Sequence, residues 1–129
     1  VMANFGTPKP SNDDAQNAFN CALAMNKKLQ IWNIGREKEK LNQINHRIGI
    51  HFGRCVVGNS GSEQPAEFAV IGDAVNVASR LCDACKEFDT NFIISQSLAN
   101  RIKLPKKCAV VKDYKIKGRV KKMDLVKIY

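Results

Sequence analysis

Long apolar runs are missing from this sequence. None approaches the roughly 20 residues that a membrane-spanning helix needs, and no signal peptide opens the chain. Histidine is scarce: His46 and His51 both lie far upstream of the Cys82-x-x-Cys85 pair. That pair therefore lacks the four ligands of a structural zinc site. At i, i+3 spacing in a helical stretch it reads as buried or semi-buried cysteines on one face. Five cysteines are an odd number and 129 residues are not a small chain, which argues against a secreted disulfide scaffold and for a reducing, cytoplasmic setting. Internal repeats and low-complexity tracts are also lacking. What is present is a globular balance, 44% hydrophobic and 26% charged residues, which argues against disorder. Such a length suits one domain over residues 1–129. The chain opens Val1-Met2, which reads as a piece whose start lies upstream, leaving room for regulatory or membrane domains there.

Acidic residues run short in one region. Residues 1–100 carry ten Lys/Arg and ten Asp/Glu, whereas residues 101–129 carry eleven and two, so the whole net charge of +9 belongs to the last stretch. Such a stretch attracts nucleic acid, an anionic membrane or a polyphosphate; it also suits a solvated lysine-rich edge that discourages aggregation. Few aromatics accompany it beyond Tyr114 and Tyr129, so stacking platforms for bases are poor and a nucleic-acid partner is not expected.

Val1 to Gly6 reads as the end of a strand, and Thr7-Pro8-Lys9-Pro10 as a turn. Ser11 or Asn12 suits an N-cap. Ala15, Ala18, Phe19, Ala22, Met25, Leu29 and Trp32 then recur at helical spacing until Gly35 ends the helix. Arg36 to Asn45 reads as a loop or frayed extension. Arg47 to Phe52 alternates as a strand; a tight turn at Gly53 leads into a partner strand from Arg54 to Val57. After a loop over residues 58–65, Glu67 to Ile71 reads as a strand, and Asp73 caps a helix from Ala74 to Phe88 whose apolar face is Val75, Ala78, Ser79, Cys82 and Cys85. Strands follow at Asn91–Ser95, Val110–Ile116 and Asp124–Tyr129, with a short helix from Gln96 to Arg101. The order suits an α+β sheet covered by helices.

Chemistry concentrates between Arg47 and Arg80. There Gly72 breaks a strand and a helix follows whose first turns carry Asn76 and Arg80, four residues apart on one face. An amide and a guanidinium near a helix N-terminus make an anion-binding corner. The same spacing also suits a merely exposed polar face, and both readings stand on these residues alone.

In context the segments Arg47-Ile-Gly-Ile-His-Phe-Gly53, Val56-Val-Gly-Asn-Ser-Gly-Ser62 and Glu67-Phe-Ala-Val-Ile-Gly-Asp-Ala-Val-Asn-Val-Ala-Ser-Arg80 resemble the catalytic domain of the class III adenylate/guanylate cyclases. The likeness extends to Val1–Pro8, Cys21–Met25 and the Ile116-Lys117-Gly118 motif, so the chain resembles the C-terminal two-thirds of that domain. The resemblance implies a ferredoxin-like α+β core, a mixed sheet covered by helices, acting as a homodimer with active sites at the interface. It implies conversion of a nucleoside triphosphate, ATP or GTP, into a cyclic 3′,5′-nucleotide and pyrophosphate, in signal transduction, with two Mg²⁺ or Mn²⁺ ions per site. It assigns Asn76 to the ribose, Arg80 to charge on the α-phosphate, Lys117 to the outer phosphates, and Ala69 and Ile71 to the purine pocket. The metal-binding aspartates correspond to positions upstream of Val1, so no metal ligand is expected in this chain, and none of its catalytic activity is expected from residues 1–129 alone.

Departures from the family pattern are informative. Ala69 stands where adenylate cyclases usually have Asp or Thr and guanylate cyclases often have Cys, so direct base readout there is lost. Phe52 and Ser60 are lesser departures. A non-catalytic, cyclase-like module that dimerises or binds nucleotide is the alternative reading, against which Asn76, Arg80 and Lys117 stand together.

Overall fold

A computed structural model describes the backbone of residues 1–59 and 68–129, and the side chains of 1–58 and 70–129. The elements run α1 (Asp14–Lys38), β1 (Ile48–Ile50), β2 (Val56–Asn59), β3 (Phe68–Ile71), α2 (Asp73–Glu87), β4 (Phe92–Ser95), α3 (Gln96–Ala99), β5 (Cys108–Tyr114) and β6 (Met123–Ile128). Four strands form one mixed sheet in the order β1-β4-β6-β5. β1 and β4 are parallel; β6 runs antiparallel to both its neighbours. The architecture is α+β, a mixed sheet covered by helices.

Alternation along the central strands splits the core in two, because successive strand residues point to opposite faces. Phe92, Ile94, Val126 and Ile128 pack with Ala15, Phe19 and Ala22 of α1 and Leu98 of α3. Ile93 and Leu125 pack with Val77, Leu81, Ala84 and Cys85 of α2 and with Ile116. α1 and α2 thus lie on opposite faces of the sheet. Phe19 stacks on Phe92 at 5.5 Å between ring centroids. α2 lies so close over β1 that a Cβ at Gly49 would collide with the main chain of Ala78, Leu81 and Cys82.

Several elements differ from the sequence expectation. Val1 to Gly6 is not a strand. α1 starts at Asp14 with Asp13 as N-cap, and Asp14 reaches back to accept from the Ser11 N–H at 2.6 Å. It runs through Gly35 to Lys38, because side chains on its distal half grip the returning chain: Asn33 exchanges hydrogen bonds with Ile44 N and O at 2.9 and 2.8 Å, and Arg36 donates to Asn42 O at 2.7 Å. The expected hairpin across Gly53 does not form. β1 pairs with β4 across the α2 crossover, while β2 pairs with β3 as a separate two-stranded ribbon. Residues 51–55 leave the sheet, and the Ser97 hydroxyl holds this exit by donating to Phe52 O at 2.8 Å. The face of α2 that packs inward is also not the expected one. Val77, Leu81, Ala84 and Cys85 are buried, Val75, Ala78 and Cys82 are half-buried, and Ser79 is exposed.

Candidate active site

The polar stripe of α2 comes first. At 100° per residue, Asp73, Asn76, Arg80 and Asp83 fall on one side of the helix, beside the stripe of Val77, Leu81 and Ala84 that faces the core. Asn76 and Arg80 are both exposed. Arg80 approaches Asp83 with one guanidinium nitrogen at 3.6 Å and keeps 48% of its side-chain surface accessible. An exposed pair at that separation is worth about 0–1 kcal/mol, so Asp83 holds the arginine only loosely. Gly72, not Asp73, is the N-cap of α2. Asp73 is the first helical residue, and its carboxylate points to another element.

That element carries Lys117. The Arg119 N–H donates to Ile116 O at 3.1 Å, closing a turn. Gly118 has a φ of +85°, the value of the third residue of a type II turn and one that side chains resist. Lys117 therefore occupies the second corner with an exposed side chain. Ile116, only 1% exposed, packs in the same cluster as Val77 and Leu81, so the turn is rooted beside the inward stripe of α2. On the outside, Arg119 meets Asp73 at 2.7 Å. The structure thus joins the Lys117 turn to the start of the helix that bears Asn76 and Arg80.

The two residues expected at a purine pocket sit on the β2–β3 ribbon. Ile71 pairs with Val56, is 68% exposed, and directly precedes Gly72. The Ala69 backbone pairs with Gly58; its side chain, and Ser60 to Glu67 including the departure at Ser60, lie outside the described residues. An open hollow of about 550 Å³ lies elsewhere, at the far end of α2, lined by Asn45, His46, Arg47, Cys85, Lys86 and Asp89 among others. It contains none of the candidate residues. Among the described residues of the candidate site, Ile71, Asn76, Arg80 and Lys117 are exposed.

One participant escaped the sequence reading. His51, half-buried where β1 ends, has Nδ1 3.4 Å from the Ser97 hydroxyl. Burial pushes its pKa below the ordinary histidine value; Arg119 adds to the depression, and Asp73 opposes it. His51 thus senses both members of the ion pair. Nothing in the spacing of residues 51, 73 and 119 signals this, because the fold alone brings them together.

The cysteine pair packs against β1 as expected of helix cysteines. Cys82 Sγ lies 3.4 Å from Arg47 O and Cys85 Sγ 3.6 Å from Ile48 O. Burial raises the Cys85 thiol to about 11, which keeps it protonated and unreactive at neutral pH. Among the described residues, no three His, Cys, Asp or Glu side chains gather as a metal ion requires. Nor is any helix among them long and apolar enough to cross a membrane.

Residues 1–128 match the family described as the adenylate and guanylate cyclase catalytic domain. The chain belongs to that family. It is 31% identical over 128 residues to adenylate cyclase 1 of Rhizobium meliloti (strain 1021), a match spanning 99% of this chain and 19% of the relative. It is 31% identical over 118 residues to an adenylate cyclase of Anabaena cylindrica, spanning 86% of this chain and 24% of the relative. Among solved structures, the adenylyl cyclase CyaB from P. aeruginosa superposes with a TM-score of 0.80 at 26% identity, covering 97% of this chain and 64% of that one. The guanylyl cyclase Cya2 superposes with a TM-score of 0.74 at 28% identity, covering 95% and 61%. The chain thus spans well under a third of these two relatives and less than two-thirds of either structure.

Proposed function

We propose that this chain supplies the nucleotide-gripping part of a nucleotide cyclase. In that reaction the ribose 3′-oxygen bonds to the α-phosphorus of ATP or GTP while the bond from that phosphorus to the β-phosphate bridging oxygen breaks. The 3′-hydroxyl proton leaves, and cyclic 3′,5′-nucleotide and pyrophosphate are the products. Asn76 orients the ribose by hydrogen bonding. Arg80 meets charge that grows on the α-phosphate in the transition state. Lys117 holds the outer phosphates from its turn. Ile71, with Ala69, borders the base; an apolar residue at 69 gives weak ATP:GTP discrimination, since no polar group is left unpaired by the wrong base. The observation that carries this reading is the junction of the Lys117 turn with the start of α2 through Asp73 and Arg119 at 2.7 Å.

The reaction as the family runs it takes two Mg²⁺ or Mn²⁺ ions. The described residues offer no donor set for them, and the Asp73 carboxylate is engaged by Arg119. The aspartates that hold the ions are assigned to a segment upstream of Val1. A second copy in a cytoplasmic homodimer completes the site around these exposed residues, without a nucleic-acid partner.

A second reading is a non-catalytic, cyclase-like module that binds nucleotide or dimerises. Steady-state kinetics on the complete protein separate the two. Arg80→Ala should lower turnover by about 10²–10³, roughly 3–4 kcal/mol of lost transition-state stabilisation, with a small change in KM. Residues 1–129 alone, given Mn²⁺ and ATP or GTP, should form no cyclic nucleotide. Unchanged turnover in the variant removes Arg80 from the mechanism, and an inactive complete protein that still binds triphosphate favours the module.

A further inference from the structure

We propose that Asp73 and Arg119 are positioning residues that set the register between the Lys117 turn and the Asn76–Arg80 stripe of α2, a claim that rests on the reading of those three residues as substrate-binding. The turn is fastened at two points. Below, Ile116 is buried with Val77 and Leu81, the neighbours of Asn76 and Arg80 on α2. Above, the Arg119 guanidinium meets the Asp73 carboxylate at 2.7 Å. Between these points Lys117 has an exposed side chain on a backbone fixed by the 3.1 Å hydrogen bond from Arg119 N–H to Ile116 O. The lower anchor fixes the depth of the turn. The upper anchor fixes its slide along α2, which decides how far the lysine stands from the two α2 side chains.

The pair is exposed enough to contribute little to folding, with side-chain accessibilities of 37% for Arg119 and 69% for Asp73. A carboxylate at this place is also electrostatically adverse to a triphosphate, since like charges repel. A positioning role and a bulk electrostatic role therefore predict opposite signs when Asp73 is removed.

The test is steady-state kinetics of the complete protein with its magnesium triphosphate, ATP or GTP. Asp73→Ala and Arg119→Ala should each raise KM about two- to fivefold, the range that the worth of an exposed ion pair allows, with a smaller change in kcat. The double variant should be no worse than either single, because both remove one interaction. Arg119→Lys should recover part of the loss. Melting temperatures should stay near wild type, as expected for exposed substitutions. A fall in KM for Asp73→Ala, additive effects, or a rise for Arg119→Ala alone would overturn the proposal; the last would mean that Arg119 touches phosphate itself. Lys117→Ala separates the positioning role of the ion pair from the phosphate-binding role of the turn. If it raises KM while the pair variants do not, positioning fails and the reading of Lys117 stands. If it leaves KM unchanged, the turn does not grip phosphate, and both fail.

Discussion

The two long helices use their surfaces differently. α1 has 25 residues yet buries only Ala15, Ala18, Phe19 and Ala22, all in its first half; beyond them Met25, Ile31, Trp32 and Ile34 are exposed. α2 has 15 residues and buries Val77, Leu81, Ala84 and Cys85 down to its last turn. The shorter helix is the better rooted, and it is the one that carries Asn76 and Arg80. A site that must hold side chains to a fraction of an ångström belongs on an element fixed along its length. α1 serves instead as a cover for one face of the sheet and as a rail for the chain returning to β1.

The largest effect that would break this contrast comes from Leu81, which is fully buried in one cluster with Ile93, Leu125 and Ile116. Leu81→Ala should cost about 2–5 kcal/mol of stability, the transfer term plus the cavity left behind. Denaturant unfolding at constant m-value measures it. A loss below 1 kcal/mol would show that α2 is not rooted along its length.

A smaller effect is graded by pH. The folded protein holds the His51 pKa below the unfolded value of 6.5, chiefly by burial and then by Arg119. The unfolded chain therefore binds the proton more readily. Stability from this group is complete above about pH 6.5 and is lost as pH falls through the depressed folded value. Melting temperature followed from pH 7.5 to 5 should decline, and His51→Gln should flatten that part of the decline. An unchanged profile in the variant would assign the acid sensitivity to other groups.

How much of this was legible beforehand depends on the range of the interaction. The existence and span of α2, the strand before it and the turn at Gly118 are local matters, and Gly72, Asn76, Arg80 and Lys117 could be picked out from spacing and resemblance. The helix phase differs because the sequence puts the small residue Ser79 on the inward face, whereas burial goes to Val77 and Leu81, the larger apolar residues one turn apart. The hairpin expected at Gly53 was the nearest pairing in sequence. The actual partner of β1 is β4, and Gly49 makes that arrangement possible by admitting the α2 backbone. Asp73 and Arg119 lie 46 residues apart and share no local pattern. In the sequence one suits a helix cap and the other a basic tail. Distant charge pairs of this kind are set by tertiary packing and leave no trace in periodicity.

The smallest effect tests the other side of the contrast. Trp32 is 56% exposed, and its visible partner is the Arg36 guanidinium, 5.5 Å from the ring centroid. Such a contact at an exposed site is worth about 0.5–1 kcal/mol, so Trp32→Ala should cost no more than that in a protein whose α1 face is open. A fully buried tryptophan costs about 3–5 kcal/mol on the same change. Unfolding of Trp32→Ala, with Arg36→Ala as the paired variant, distinguishes the cases. Similar small losses in both, non-additive in the double variant, keep α1 as a cover with a free outer face. A loss of several kcal/mol for Trp32→Ala alone would show that in the complete protein another surface lies over this helix. Both helices would then be rooted along their length, and the contrast would hold for these 129 residues taken alone.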